Sequence, residues 1–385
     1  MKQLFRTAAL AAASILLTVS VSSCNKTIVT TDEANIETKD AIIKQYLEHT
    51  VYPTYGQLAA NTEALADDLK TLKADMTQAN LDKACASFLE ARHWWEMSEA
   101  FLYGAASDFG IDPHIDSWPL DETEFNRLMA NPEMLEDLDG DDGAIVARER
   151  LGNALLGFHG LEYVLFRDGN ARPVSEITND MMIYAVAVAG DLRNSCFQLE
   201  VSWNKNAPQS HQDLMEELEF NITLANGNTY GENMTMAGQA GSTYSTRTQA
   251  LQAILDGCVT ISDEVGTSKI GKPFSGEDPT YVESPYSQKS IRDFADNIAS
   301  IKNAYMGGNE GERDEDLSVH RFIMDFDAEL DTQVVNAIDN AIAKINAMAA
   351  PFVHNYSDAS AGRAMEACQE LSEVLDEAKD ALNEQ

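Results

Sequence analysis

Two residues that could do chemistry together are His159 and Glu162, which lie three positions apart. Side chains at this spacing share one face of a helix, so an imidazole nitrogen and a carboxylate oxygen can reach the same ligand. Apolar residues such as Phe158 and Leu165 recur around them at helical spacing and predict that this face is buried. A buried carboxylate is costly unless it is paired, hydrogen-bonded or bound to a metal. The pair therefore predicts a buried polar site.

Spacing alone leaves two interpretations of this pair open. In the first, the histidine and the glutamate bind a metal ion, as Glu-x-x-His pairs do in metal-carrying helical bundles. In the second, they belong to a structural network in which Arg92 or Arg148 neutralises the glutamate. Arg92 and Glu99 occupy positions of the preceding helix where an apolar residue would be expected. The sequence thus predicts several buried charges in this region.

The elements that must position these residues are helices, because helical periodicity dominates the chain and predicts an all-α protein. Four long helices are expected on either side of residue 205, which predicts two four-helix-bundle-like domains packed side by side. The N-terminal bundle, residues 36–205, would carry the His-x-x-Glu pair, and residues 206–385 would form the C-terminal bundle. The long helices are expected at about 37–73, 78–106, 143–166, 177–204, 246–264, 288–306, 316–349 and 358–383.

The N-terminal segment predicts secretion and a lipid anchor. Lys2 and Arg6 precede an apolar run that is too short for a stable membrane span, as in a signal peptide. The segment ends at Val-Ser-Ser-Cys, which resembles the bacterial lipobox, so residues 1–24 are predicted as a signal peptide with lipidation at Cys24. Residues 25–35 are expected to form a polar tether. The predicted location is the cell envelope, on the outer membrane or facing the periplasm.

Composition excludes one class of partner. The chain has 385 residues with 27 Lys and Arg against 63 Asp and Glu, a formal charge of −36. This balance argues against nucleic-acid binding, because little in the chain would neutralise phosphates. It is compatible with a cation as ligand. The four cysteines beyond residue 24 are widely spaced within apolar helical patterns and are predicted to be buried free thiols.

The segment 157–162, Gly-Phe-His-Gly-Leu-Glu, resembles the G-x-H-x-x-E signature of the imelysin family, bacterial envelope proteins also grouped as M75 peptidase-like. Further segments are similar to the family in the same order along the chain, at 52–55, 95–104, 115–119, 283–287 and 290–297. The resemblance implies an all-helical fold of two bundles with a site at their interface. It also implies an envelope setting and a link to iron acquisition.

The same resemblance implies particular site residues. A metal would be bound by four residues of the N-terminal half: His159, Glu162, Glu99 and Asp116. A ligand pocket beside it would be lined by Arg92, Trp118, Glu283, Tyr286 and Asp293.

Two functions follow as alternatives. A carboxylate-rich site with one histidine suits a hard or borderline cation, so we expect a divalent or trivalent metal ion such as iron, or a small ligand, to bind at the inter-domain pocket. Partners would then be other envelope proteins of iron uptake. The alternative is an M75-type metallopeptidase acting on peptides. It is less favoured because residue 163 is Tyr, so the chain lacks the H-x-x-E-H and H-E-x-x-H patterns. A structural network without a ligand stays open beside both.

Overall fold

The computed structural model describes residues 31–384. The predicted signal peptide and the lipidation site at Cys24 lie outside the described residues, as does most of the predicted tether. The described chain is helical apart from one two-stranded antiparallel hairpin, which confirms the all-α prediction. A first helix begins at Thr31, so the last residues of the segment predicted as a tether are helical.

Between residues 31 and 205, the structure has ten α-helices and the hairpin. The helices are α1 Thr31–Tyr46, α2 Tyr52–Ala74, α3 Gln78–Glu96, α4 Ala105–Asp108, α5 Ile111–Ile115, α6 Glu122–Met129, α7 Pro132–Leu138, α8 Gly143–Arg150, α9 Gly157–Leu165 and α10 Asn179–Trp203. The hairpin pairs β1, Phe166–Arg167, with β2, Asn170–Ala171. A π-helical turn joins α1 to α2, and the remaining short turns are 3₁₀ turns at Glu99–Phe101, Asn153–Leu155 and Val174–Glu176.

Nine α-helices follow in the described part of the chain. They are α11 Gln209–Glu217, α12 Tyr230–Thr235, α13 Arg247–Glu264, α14 Gly271–Ser275, α15 Ser290–Met306, α16 Val319–Phe326, α17 Ala328–Asn346, α18 Phe352–Asn355 and α19 Ala359–Ala381. A π-helical turn, Val265–Lys269, extends α13, and 3₁₀ turns lie at Glu315–Leu317 and Leu382–Glu384.

The long helices pack in two sets. In the first, α2 packs against both α3 and α10, and α10 also contacts α8 and α9; in the second, α13, α15, α17 and α19 pack together. The sets meet where α3 contacts α15 and where the Glu99–Phe101 turn contacts α13 and α15. One hydrophobic cluster of buried side chains spans both, from Ile42 to Leu382. The division into domains at residue 205 stays a prediction.

Three predicted helices are interrupted. The helix expected over 316–349 divides at Asp327 into α16 and α17. Of the other two, the helix expected over 78–106 ends at Glu96, and the helix expected over 143–166 is broken between Leu151 and the start of α9 by extended residues and a 3₁₀ turn. Apolar residues continue at helical spacing through these last two breaks, so the pattern did not reveal them. The break before α9 also separates Arg148 from the His-x-x-Glu pair, and Arg148 contacts Asp191 instead.

The segment expected to be a long loop, residues 266–287, also differs from the prediction. It begins with helical residues, since the π-helical turn Val265–Lys269 continues α13 and α14 follows at once. Apolar packing explains why these residues are helical, because Val265 and Ile270 are fully buried. The remaining part, up to α15, does form a connection between helices.

Candidate functional site

Two glycines shape the start of α9, because a side chain at either position would clash with neighbouring atoms. Gly157 has a φ of +66°, and a Cβ atom there would lie 1.8 Å from the carbonyl oxygen of Ile115. A Cβ on Gly160 would lie 2.1 Å from the hydroxyl oxygen of Tyr184. Gly157, the glycine of the motif, thus allows α9 to approach the end of α5, and Gly160 allows it to approach Tyr184 of α10. The approach to α5 places His159 beside Asp116, the residue that follows Ile115.

His159 is held by two carboxylates. Its Nε2 lies 2.9 Å from Oδ1 of Asp116, and its Nδ1 lies 3.8 Å from Oε2 of Glu162. Burial acts to lower the pKa of the imidazole, but the hydrogen bond to Asp116 and the nearby carboxylate of Glu162 outweigh it and raise the pKa to about 9. Trp95 donates from Nε1 to the other oxygen of Asp116 at 2.8 Å. His159 is therefore protonated at neutral pH.

Arg92 of α3 joins three carboxylates from different parts of the chain. Its guanidinium donates to Asp116, lies 2.6 Å from Oε1 of Glu283 and lies 2.5 Å from Oε1 of Glu96. Burial acts to raise the pKa of Asp116, yet Arg92 and His159 hold it well below its usual range. Arg92 thus pairs with carboxylates other than that of Glu162.

Lys269, at the end of the π-helical turn, is a second basic residue that contacts Glu283. Its Nζ lies 3.3 Å from Oε1 of Glu283, 3.4 Å from Oε1 of Glu99 and 3.2 Å from Oδ1 of Asn297. Asn297 in turn donates to Oε2 of Glu96 at 2.5 Å. Lys269 is 2% exposed, so these contacts replace most of the water that an ammonium group would otherwise bind.

The other predicted residues fall around this centre. Glu162 accepts a hydrogen bond from the backbone N–H of Ser287 at 2.7 Å, and Asp293 accepts one from Ser284. Tyr286 does not point its hydroxyl at these groups, since it donates to Glu122 at 3.1 Å.

Two aromatic rings cover the histidine. The ring of Trp118 lies 6.2 Å from that of His159 and 3.9 Å from that of Tyr281, measured between centroids. Both Trp118 and Tyr281 are half-buried, whereas His159 is 3% exposed. Trp118 therefore packs beside the buried imidazole, and Tyr281 packs on Trp118.

We call this centre the carboxylate cluster. It comprises six carboxyl groups and three basic groups: Glu96, Glu99, Asp116, Glu162, Glu283 and Asp293, with Arg92, His159 and Lys269. Eight of these residues are buried, and Asp116 is half-buried as a residue with a side chain that is 5% exposed. When all are ionised, the acidic groups exceed the basic ones by three. Burial raises the pKa of three members to about 7, against the lowering effect of nearby Arg92 or Lys269; these members are Glu96, Glu283 and Asp293. An additional cation would offset this excess of negative charge.

The cluster offers two sets of metal-ligating atoms. One is Asp116, His159 and Glu283, and the other is Glu96, Glu99 and Asp116; in each set the ligating atoms lie within 4.8 Å of one another. Oε2 of Glu162 and Oε2 of Glu283 are buried without a hydrogen-bond partner in the described part of the chain. Carboxylate oxygens with one imidazole suit hard and borderline cations. The residues present therefore fit a metal ion of that kind.

The structure brings together most of the predicted residues and adds others. Glu96, Lys269 and Asn297 were not among the predicted ligands or pocket residues. Glu96 lies one helical turn after Arg92, a spacing that favours an ion pair and could have indicated it. Lys269 lies in the segment predicted as a loop, 170 residues from its partner Glu99, and no local pattern connects the two.

The fold and the site define a class: a helical protein with a buried, carboxylate-rich centre that contains one histidine, at the contact of two helix sets. The family model described as Imelysin, peptidase M75, matches residues 51–378. The chain belongs to the imelysin family, which confirms the resemblance predicted from the sequence.

Individual relatives agree with this assignment. Iron-regulated protein A of Synechococcus elongatus is 27% identical over 265 residues, which cover 69% of this chain and 64% of the relative, so the match spans less than two thirds of that protein. A crystal structure from Parabacteroides distasonis, described as an iron-regulated protein A precursor, has 28% identity and a TM-score of 0.76, covering 90% of this chain and 95% of that one. An imelysin-like protein from Psychrobacter arcticum shares the fold at 14% identity and a TM-score of 0.58, covering 90% and 93%.

Two further observations bear on the sequence predictions. The four cysteines at 85, 196, 258 and 368 are buried and free, as predicted. Between residues 31 and 384, no helix has both the length and the apolar character that crossing a membrane requires.

Proposed function

We propose that the carboxylate cluster binds a metal ion, with iron as the first candidate, in a lipid-anchored envelope protein that takes part in iron uptake. The observation that carries the proposal is the buried excess of six carboxyl groups over three basic groups. Buried carboxylates without compensation are costly, and a bound cation removes that cost. Two carboxylate oxygens without hydrogen-bond partners among the described residues supply free ligands.

The choice of iron rests on donor chemistry and on the names of the relatives. Carboxylate oxygens and a single imidazole suit iron better than they suit soft metals, which prefer thiolates. The relatives from Synechococcus elongatus and Parabacteroides distasonis are both described as iron-regulated protein A. The anchor at Cys24, the location in the envelope and the uptake partners are parts of the same proposal. In the cluster, Asp116, His159 and Glu283 would hold the metal.

The test measures metal binding by wild type and a double variant, H159A/E162A. We expect wild type to take up Fe²⁺ or Fe³⁺ in titration calorimetry and elemental analysis, and the variant to lose at least about tenfold in affinity, as removal of a ligand does. The matched control is H49A/E312A, which removes a half-buried histidine and an exposed glutamate with the same 3.8 Å separation, outside the carboxylate cluster. Equal binding by wild type and H159A/E162A, with melting curves showing both folded, would overturn the proposal.

Peptide hydrolysis is the second candidate, favoured by the unpartnered Oε2 of Glu162 beside His159. A zinc peptidase needs about three protein ligands and an open position for water and substrate. The closed cluster, with Arg92 in its centre, gives a peptide no access in this conformation. Cleavage of an unfolded peptide that a chelator stops, and that E162Q abolishes, would establish this activity over simple binding.

A further inference from the structure

A separate cavity lies beside the carboxylate cluster and is open to solvent. Its volume is about 660 Å³, within the range of small-molecule sites. The 3₁₀ turn Glu99–Phe101, α4, α12 and α13 form its walls, so both halves of the chain contribute. Nothing in the proposed metal function uses this space.

The charged side chains of the lining are carboxylates, one of which, Glu99, is paired with Lys269 from outside the lining at 3.4 Å. Glu99 lies buried at its base, while Asp108 and Asp256 are exposed at its mouth. The residues that line it, all of them within the described chain, include neither Lys, Arg nor His. Lys379 contacts Asp256 at 2.8 Å from outside the lining. Carboxylates around a cleft focus the field and concentrate cations there.

Three tyrosine rings supply the apolar surface: Tyr103, Tyr230 and Tyr244. Two of them are fixed by hydrogen bonds, since Tyr230 donates to Oδ2 of Asp108 at 2.8 Å and the hydroxyls of Tyr103 and Tyr46 lie 2.8 Å apart. Aromatic faces attract ammonium groups, and several rings around one space form the usual cage for such ligands.

Two glycines allow the walls to close around this space. A Cβ on Gly257 would lie 2.0 Å from the carbonyl oxygen of Ala100 and 3.0 Å from the Tyr103 ring. Gly104 has a φ of +75°, and a Cβ there would lie 2.8 Å from the ring of Tyr230. The rings of Tyr103 and Tyr230 therefore pack directly against the backbone at Gly257 and Gly104, and this packing holds the rings in place.

We propose that this cavity binds a small organic cation, an amine with an apolar body, which places its ammonium group between the carboxylates and the tyrosine rings. The negative lining selects the charge and the rings accommodate the body. A neutral molecule of the same shape would gain the apolar contacts alone, and an anion would be repelled. This site borders the carboxylate cluster and shares Glu99 with it, but its lining does not include Asp116, His159 or Glu283, and it needs no metal.

The experiment compares three probes that share a phenylethyl body, in metal-free buffer: phenethylamine, phenethyl alcohol and hydrocinnamate. Titration calorimetry of wild type should show the amine binding at least about tenfold more tightly than the alcohol, with the anion weaker still. Added salt should weaken amine binding and leave alcohol binding nearly unchanged. Absence of amine binding, or equal affinity for amine and alcohol, would overturn the proposal.

Variants locate the binding. In D108N/D256N, amine affinity should fall about tenfold while alcohol affinity stays the same. The control D325N/D339N removes two exposed carboxylates that are each paired with a basic side chain, as Asp256 is, and that do not line the cavity; it should bind as wild type. Y244L keeps an apolar side chain but removes a ring, and should lose amine affinity as well. Unchanged amine affinity in D108N/D256N would place binding elsewhere and refute the assignment.

Discussion

At the scale of single residues, burial and neighbouring charges decide what each group of the carboxylate cluster can do. His159 is protonated at neutral pH because Asp116 and Glu162 raise its pKa to about 9 against the effect of burial. A protonated imidazole has no lone pair for a metal, so binding at His159 must release a proton. Metal affinity should therefore rise with pH over the range in which His159 titrates.

Asp116 is the residue expected to control this protonation. The D116N variant removes the negative charge 2.9 Å from Nε2 while keeping the shape of the side chain. The pKa of His159 should then fall toward its ordinary value of 6.5, since burial and Arg92 both act to lower it. Proton NMR of the imidazole ring across a pH titration measures this directly.

A second aspartate serves as the control for that experiment. Asp191 lies 2.7 Å from Nε2 of His114 and contacts Arg148, away from the carboxylate cluster. D191N should leave the titration of His159 unchanged. If His159 titrates in D116N as it does in wild type, the geometry described for this pair does not exist in solution.

At the scale of elements, the break before α9 is what brings His159 to Asp116. The G-x-H-x-x-E motif has a physical basis here, because Gly157 takes a left-handed conformation against the carbonyl oxygen of Ile115. A side chain at this position would force α9 away from α5. The helix would then carry His159 away from Asp116, so the motif's glycine positions the histidine.

The variant G157A tests this role. The positive φ and a Cβ position 1.8 Å from Ile115 predict a loss of at least about 2 kcal/mol in the free energy of unfolding. The control is G152A in the same connection: Gly152 has a φ of −77° and open space around it, so the change should stay within about 1 kcal/mol. Urea denaturation compares the two, and equal stability would contradict the explanation.

The elements also show which parts of the site could be predicted from the sequence. Helical periodicity and the G-x-H-x-x-E motif indicated His159, Glu162 and Arg92 as site residues. These predictions depend on local spacing or on a short motif, whereas Asp116 came from the family resemblance. The partner of Arg92 in the second half, Glu283, came from the resemblance alone, because nothing local links residues 191 positions apart.

The breaks in the helices could not be predicted for a related reason. Glu99 was expected in a helical seam, yet it lies in a 3₁₀ turn beyond the end of α3. Its buried position is decided by contacts with α13 and α15, which lie far along the chain. Tertiary packing overrides the local sequence pattern at such places. Lys269 was not predicted as a site residue for the same reason.

At the scale of the whole molecule, the carboxylate cluster joins the two sets of helices. Arg92, Glu96 and His159 come from the first half of the chain, whereas Lys269 and Glu283 come from the second. Their contacts are buried ion pairs, whose strength depends on the protonation of the carboxyl groups. The stability of the molecule should therefore depend on pH through this one region.

The direction of that dependence follows from the pKa values. Glu283 has an ordinary value of 4.5 when unfolded, and burial raises its pKa to about 7 in the fold. Between these values the native state binds more protons than the unfolded state, so stability falls as pH rises. His159 acts in the same direction between 6.5 and about 9, because its pKa is also raised on folding.

We therefore expect the melting temperature of the metal-free protein to fall by a few degrees between about pH 5 and pH 8 on account of these groups. E283Q removes one of the titrating carboxyl groups and should flatten this fall, while E312Q, at an exposed position, should follow the wild-type curve. Differential scanning calorimetry over this range provides the measurement. A metal that binds the cluster competes with the same protons, so its stabilising effect should be larger at the upper end. If the curves of wild type and E283Q are alike, Glu283 is ionised throughout this pH range. The excess of buried negative charge that supports cation binding would then have to be compensated by another group.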